Sequence, residues 1–141
     1  MELYDYLKRR VEDADGFIKH LHLSFTELSK GNVAAEIEVG DELLNPMGTV
    51  HGGCLFSICD TVGGTAAMTY GSIVTTTMAT ISYIRPAGGK TLYAKAFELK
   101  AGASLLRYDI CVYDEKKELV CKAMMEYFKV GPIQLEDKLT E

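Results

Sequence analysis

The chain is poor in the residues from which metal, disulfide and nucleic-acid proteins are built. Its 141 residues include four cysteines. Cys54, Cys59, Cys111 and Cys121 show no CxxC spacing and stand among apolar neighbours, the pattern of reduced core thiols rather than of a zinc site or a disulfide framework. There are three histidines; His20 and His22 fall on one face of an expected strand, but no third ligand accompanies them, so no metal is expected. Acidic residues outnumber basic ones, 20 to 15, for a net charge of -5. That balance excludes general nucleic-acid binding, which requires a basic face to neutralise phosphates. It leaves room for one anionic ligand held by a local group drawn from Arg85, Lys90, Lys95, Lys100 and Arg107. The motifs Gx4GK[ST], GxGxxG, HExxH and GxSxG are missing, which removes motif support for nucleotide hydrolysis, dinucleotide redox chemistry, zincin proteolysis and α/β-hydrolase catalysis. Residues 1–10 mix charges with no long apolar run, so neither a secretory signal nor a membrane span is expected, and a cytoplasmic location is.

What is present is apolar patterning. With 48% hydrophobic residues the chain can bury a core of its own, and one domain over residues 1–141 is expected. Residues 3–11 read as a short amphipathic helix ending before Asp15-Gly16. Leu21, Leu23 and Phe25 alternate with His20, His22 and Ser24, and Val33, Ala35, Ile37 and Val39 alternate with polar or small residues, predicting a hairpin through residues 29–32. Residues 40–50 form a loop. Residues 51 to about 70 form the one long helix, stopped by Gly71. Four more strands are predicted over residues 74–84, 91–100, 105–113 and 119–130, with turns short enough for antiparallel neighbours; the tail from Gln134 is expected to fray. This is an α+β layout in which an antiparallel sheet wraps an apolar helix. Gly63, Gly64, Thr65 and Ala66 would let another backbone come close, and so large an apolar face points to a homodimer.

The chemistry concentrates where the helix begins. If it starts near His51, the N–H groups of Gly52, Gly53 and Cys54 belong to its unsatisfied first turn and face along the positive end of the dipole, an arrangement suited to an oxyanion. Asp60 is a lone carboxylate in a greasy segment; it must be paired or functional, and partial desolvation would raise its pKa towards use as a base. Eight residues separate it from Gly52, about 12 Å of helix, too far for one carbonyl to touch both. Antiparallel helices of two chains would bring Asp60 of one beside Gly52 of the other. Asn45 either initiates a turn or orients a water or thioester. Strand alternation puts Thr76 on the face of Met78, Thr80 and Ser82, from where its hydroxyl could hold a water near Asp60. His51 reads as a residue that fixes the loop.

Asn45, His51-Gly52-Gly53 and Asp60 within HGGCLFSICDTVGGTAA, followed by TTTMATISYIRPA over residues 75–87, closely resemble hotdog-fold acyl-CoA thioesterases of the phenylacetate-degradation (PaaI-like) group, and the resemblance covers most of the chain. It implies a six-stranded antiparallel sheet around one long central helix, with a dimer whose strands join into one continuous sheet, commonly doubled into a tetramer. It implies hydrolysis of a coenzyme A thioester, aryl-acetyl or medium-chain, with no cofactor beyond the coenzyme A of the substrate. Position by position, Gly52 N–H would polarise the thioester carbonyl, Asp60 of the partner chain would be base or nucleophile, Asn45 would place the thioester or water, and Thr76 would position water. Substrate contacts would come from His51, Gly53, Met78, Tyr83, Arg85 and the turn of Lys100, Ala101, Gly102, Ala103, Ser104 and Leu105. Relatives often carry a cation where Ala103 stands, and the position of Met78 can be polar in them. The alternative is a non-catalytic acyl-CoA-binding module of the same fold; the joint presence of Asp60 and Gly52 favours the enzyme.

Overall fold

The computed structural model describes residues 2–135. Helix α1 (Leu3–Glu12) leads through a 3-10 turn (Phe17–Leu21) into strands β1 (Leu23–Ser29) and β2 (Asn32–Glu38); a second 3-10 turn (Asp41–Leu43) precedes helix α2 (Gly52–Met68), and β3 (Ser72–Tyr83), β4 (Thr91–Ala101), β5 (Leu105–Tyr113) and β6 (Leu119–Pro132) follow. All strand pairs are antiparallel, in the order β1-β2-β4-β5-β6-β3. Local chemistry explains the connections. Gly31 takes the left-handed φ of +71° that the β1–β2 turn needs, and Asp114 Oδ1 accepts the N–H groups of Lys116 and Glu118 to close the β5–β6 turn. Between β2 and β4 the chain lays α2 across the concave face and returns as β3 at the far edge. This is the hotdog architecture that the resemblance implies.

The core forms because α2 is apolar on most of its circumference and the sheet's inner face offers small residues where it must come close. Leu55, Ile58, Cys59, Val62, Ala66 and Ala67 bury against a surface that includes Leu92, Ala94, Ala96, Ile110, Ala123 and Met125. All four cysteines are free and buried. Gly63 does not receive another backbone, as the sequence suggested. A side chain there would collide with Tyr127 Oη and come within 2.9 Å of Ile110 Cδ1, and Tyr108 Oη lies 3.3 Å from Ala66 O. The small residues seat aromatics of the chain's own sheet. The flank of α2 that the sheet leaves half-exposed is made instead of Phe56, Ser57, Asp60, Thr61 and Gly64.

Two further expectations change. The first strand starts at Leu23, not His20: Gly16 opens a 3-10 turn that buries Leu21, and His22 is left-handed at φ +49°. A short turn and a strand both put Leu21 inward, which is why alternation alone read strand; His20 and His22 therefore do not share a strand face. In β3 a bulge between Thr76 and Met78 shifts the register. The extra residue puts Thr76 on the helix side with Val74, Ala79 and Ile81, and sends Met78 to the outer face opposite Glu126. Ile133 and Leu135 pack near Tyr6, Leu7 and Met68, so the chain is still packed at the first residues of the expected frayed tail; the remainder of that tail lies outside the described residues.

The C-terminus of α2 is tied to the first hairpin through one hydroxyl. Thr69 Oγ1, 3% exposed, accepts Gly31 N–H at 2.8 Å and donates to Ala66 O at 2.6 Å. Thr69→Val keeps the shape and orphans the Gly31 N–H, so urea unfolding is expected to show a loss of about 1–2 kcal/mol.

Candidate active site

The N-terminal turn of α2 is more fully committed than the sequence suggests. His51 caps the helix, with Nδ1 accepting Gly53 N–H at 2.8 Å, and His51 O accepts the N–H groups of Cys54 at 2.9 Å and Leu55 at 3.1 Å. Gly53 and Cys54 are thus removed from the expected set of free donors. Gly52 N–H alone in this turn has no acceptor among the described residues. The loop that leads to it is rigid. Asn45 Oδ1 accepts from Met47 N–H at 3.0 Å and Thr49 N–H at 3.1 Å, Asn45 Nδ2 donates to Thr49 Oγ1 at 2.9 Å, and Val50 N–H donates to Ala87 O at 3.0 Å. Asn45 is therefore the residue that shapes this loop. Tyr83 comes from the end of β3 to donate its hydroxyl to Gly52 O at 2.9 Å. Asn45, Gly52, Tyr83 and Arg85 line one cavity of about 390 Å³. Arg85 is bound there to Glu118 at 2.7 Å and to Leu119 O at 2.9 Å.

Asp60 lies two turns further along α2 in a different cavity, of about 200 Å³, with Thr76, Tyr127 and Arg10. It is half-buried, less enclosed than its apolar neighbours led the sequence to suggest. Thr76 Oγ1 donates to Asp60 Oδ1 at 2.7 Å. Tyr127, on the inner face of β6, reaches the same oxygen and Asp60 O at 3.3 Å each. Burial, followed by the nearby Asp60 charge, pushes the Tyr127 hydroxyl far above its usual pKa, so it stays a donor. Sequence reading passed over Tyr127; its signal was the alternation of Cys121, Ala123, Met125 and Tyr127 on the face that meets the helix. A carboxylate with one oxygen held by hydroxyl donors and the other open can take a proton or attack an acyl carbon.

The remaining candidates lie apart from both cavities. Met78 and Lys100 fall in one transverse row on the outer face, Lys100–Arg107–Glu126–Met78 across β4, β5, β6 and β3, and Arg107 pairs with Glu126 at 2.9 Å. Ala101 ends β4, and Gly102, Ala103 and Ser104 make the tight turn to Leu105, closed by Gly102 N–H on Leu105 O at 2.8 Å. His51 and Gly53 border a third cavity with Phe17, His20, Glu42 and Cys54, where His22 Nε2 lies 2.8 Å from Glu42 Oε1. The cations do not gather into one cluster: Arg85 is held by Glu118, Lys95 lies 3.7 Å from Glu27, and Arg107 is held by Glu126.

Comparison with known proteins gives the family. A family model described as thioesterase superfamily matches residues 47–121. The chain is 30% identical over 107 residues to the proofreading thioesterase EntH of Klebsiella pneumoniae, covering 74% of this chain and 78% of that one. It is 27% identical over 118 residues to the acyl-coenzyme A thioesterase PaaI of Escherichia coli, covering 83% and 84%; the PaaI structure superposes with a TM-score of 0.82 over 93% and 98% of the two chains. The structure of smu.793 from Streptococcus mutans, solved bound to acetyl CoA, is similar with a TM-score of 0.76 at 27% identity, covering 79% and 91%.

The cap and the thiol beside it give two checks. His51→Ala removes the acceptor for Gly53 N–H, and thermal unfolding is expected to show a loss of about 0.5–2 kcal/mol. Burial pushes the Cys54 thiol up to about 11, so at pH 8 the thiolate is scarce and iodoacetamide should label Cys54 far more slowly in the native protein than in urea.

Proposed function

The chain belongs to the thioesterase superfamily and is a thioester hydrolase, and from that premise we propose that it cleaves an acyl-coenzyme A thioester at a site completed by two copies of the chain. One observation carries this reading: on a single chain the free Gly52 N–H and the Thr76-held Asp60 carboxylate open into separate cavities, about 12 Å apart along α2. Neither half performs the reaction alone. Two features support a partner at this place. The half-exposed flank of α2 carries Asp60, and β3, which brings Thr76, is the last strand of the sheet, with an edge left unpaired among the described residues. A long free edge is a template for another strand, and antiparallel pairing of β3 with its copy makes a continuous sheet with two antiparallel α2 helices beneath it. The names of the relatives supply the substrate class, an acyl group on coenzyme A.

In the composite site the thioester oxygen lies against Gly52 N–H at the positive end of α2. The negative charge that develops there as the carbonyl carbon becomes tetrahedral is held by a donor already in place. Asp60 of the other chain takes the proton of the attacking water, or adds to the carbonyl carbon itself and gives an acyl anhydride that water then opens. In either course the C–S bond breaks, coenzyme A leaves as thiolate and recovers a proton, and the acid departs. Thr76 holds Asp60 Oδ1 and so orients the carboxylate. Asn45 acts through the loop whose shape it fixes, and Tyr83 acts through its bond to Gly52 O. On the outer face Phe97, Leu105 and Phe128 remain 41–43% exposed, which supports a second contact that doubles the dimer into a tetramer. No helix among the described residues is long and apolar enough to cross a membrane; a cytoplasmic location is part of this proposal.

Asp60→Asn is expected to lower thiol release from a reactive acyl-CoA by at least about 10²-fold with the fold retained, measured with a thiol-trapping dye. Turnover at the wild-type rate would overturn the assignment. Gly52→Pro deletes the donor and is expected to cost about 10²–10³-fold. When the two inactive chains are unfolded together and refolded, half the dimers are mixed and hold one intact site, so about a quarter of the wild-type activity should return. Mixed dimers that form and stay inactive would refute a site shared between chains.

A further inference from the structure

We infer that Tyr127 is a positioning residue for Asp60, and that position 63 is a glycine so that the Tyr127 hydroxyl can reach it. The inference rests on the reading of Asp60 as the reacting carboxylate.

The Tyr127 hydroxyl has one proton and three acceptors in reach: Asp60 O and Asp60 Oδ1 at 3.3 Å each and Met125 Sδ at 3.4 Å. A thioether sulfur is a weak acceptor, and a hydrogen bond to a charged oxygen is the strongest of the three. The proton therefore goes to Oδ1, the oxygen that also receives the Thr76 hydroxyl at 2.7 Å. Two donors from two strands, β3 and β6, grip one carboxylate oxygen. Oδ2 has no partner among the described residues, and it is the oxygen left to face the reacting atoms. The ring that carries the hydroxyl is 1% exposed and packs edge-on against Tyr108, with centroids 6.3 Å apart, so it has no freedom to swing away.

The approach is possible because of α2. Gly63 stands one turn beyond Asp60, and any Cβ there would occupy the place of the Tyr127 hydroxyl and press on Ile110 Cδ1 at 2.9 Å. A glycine in a helix interior is less favourable than alanine, and here it opens the space through which the sheet touches the carboxylate. Few other groups bear on Asp60. Cys59 lies beside it on α2, Arg10 of α1 borders the same cavity, β3 brings the neutral Thr76, and the first 3-10 turn brings only Ile18. Behind Tyr127, Tyr108 of β5 is turned to Glu98 of β4 at 3.0 Å.

Tyr127→Phe deletes the hydroxyl and keeps the ring. With an acyl-CoA substrate, kcat is expected to fall about 5-fold with KM within about 2-fold of wild type. Gly63→Ala, which drives the hydroxyl away, should reproduce the fall in kcat at nearly constant KM. A Tyr127→Phe enzyme with wild-type kcat, or with a lowered melting temperature alone, overturns the positioning role; a Gly63→Ala enzyme with wild-type kcat overturns the part given to glycine. Asp60→Asn in the same assay separates the two readings. If it turns over like wild type, the catalytic assignment of Asp60 is lost; if it is inactive while Tyr127→Phe is unchanged, only the present inference is.

Discussion

Helix α2 enters the curl of the sheet with Ile58, Cys59, Val62, Ala66 and Ala67 at no measurable exposure, and that burial fixes the rotation of the helix about its axis. Each large aliphatic side chain removed from water contributes about 1.5–3 kcal/mol, so turning the helix by a single position would forfeit several such terms. With the rotation set, the placement of every polar group on α2 follows. Asp60 comes next in sequence to Cys59 and must lie at the border of the buried stripe. There it meets the inner faces of β3 and β6 on one side and the uncovered flank on the other.

The border position resolves the tension of an acid in an apolar segment. Asp60 is held by hydroxyls rather than by a cation, which avoids the second desolvated charge that a buried ion pair demands. Helix and sheet supply complementary parts: the sheet brings Thr76 and Tyr127 to one oxygen, and the helix end brings one free amide two turns away. The same division leaves β3 as both the scaffold for Thr76 and the unpaired edge of the sheet. In the proposed dimer, assembly and chemistry converge on one strand, and a change to that edge would be felt in both.

The elements of the fold were legible because period and punctuation agree in most of the chain: Gly71 stops the helix, Asp114 marks a turn, and the strands alternate. The misses have physical causes. The bulge at Thr77 is one unpaired residue in a run of three threonines, and alternation has no means of placing it, so alternation assigns Met78 to the face of Thr76. Leu21 is buried by a 3-10 turn whose spacing imitates a strand. Asp60, Gly52 and Thr76 could be singled out because a polar or glycine residue in an apolar stretch is conspicuous. Tyr127 could not, since a tyrosine on the apolar face of a strand looks like core until the missing side chain at Gly63 shows where its hydroxyl goes. Asn45 was visible as a turn former, and in the structure both of its amide atoms are bound within the loop.

The cap on α2 also determines the tautomer of a side chain. Nδ1 of His51 accepts the Gly53 N–H, so that nitrogen carries no hydrogen, and in the neutral imidazole the proton must sit on Nε2. The ring therefore presents its surroundings with an N–H and no lone pair. Whatever group comes to rest beside it in the cavity shared with Phe17 and Cys54 meets a hydrogen-bond donor.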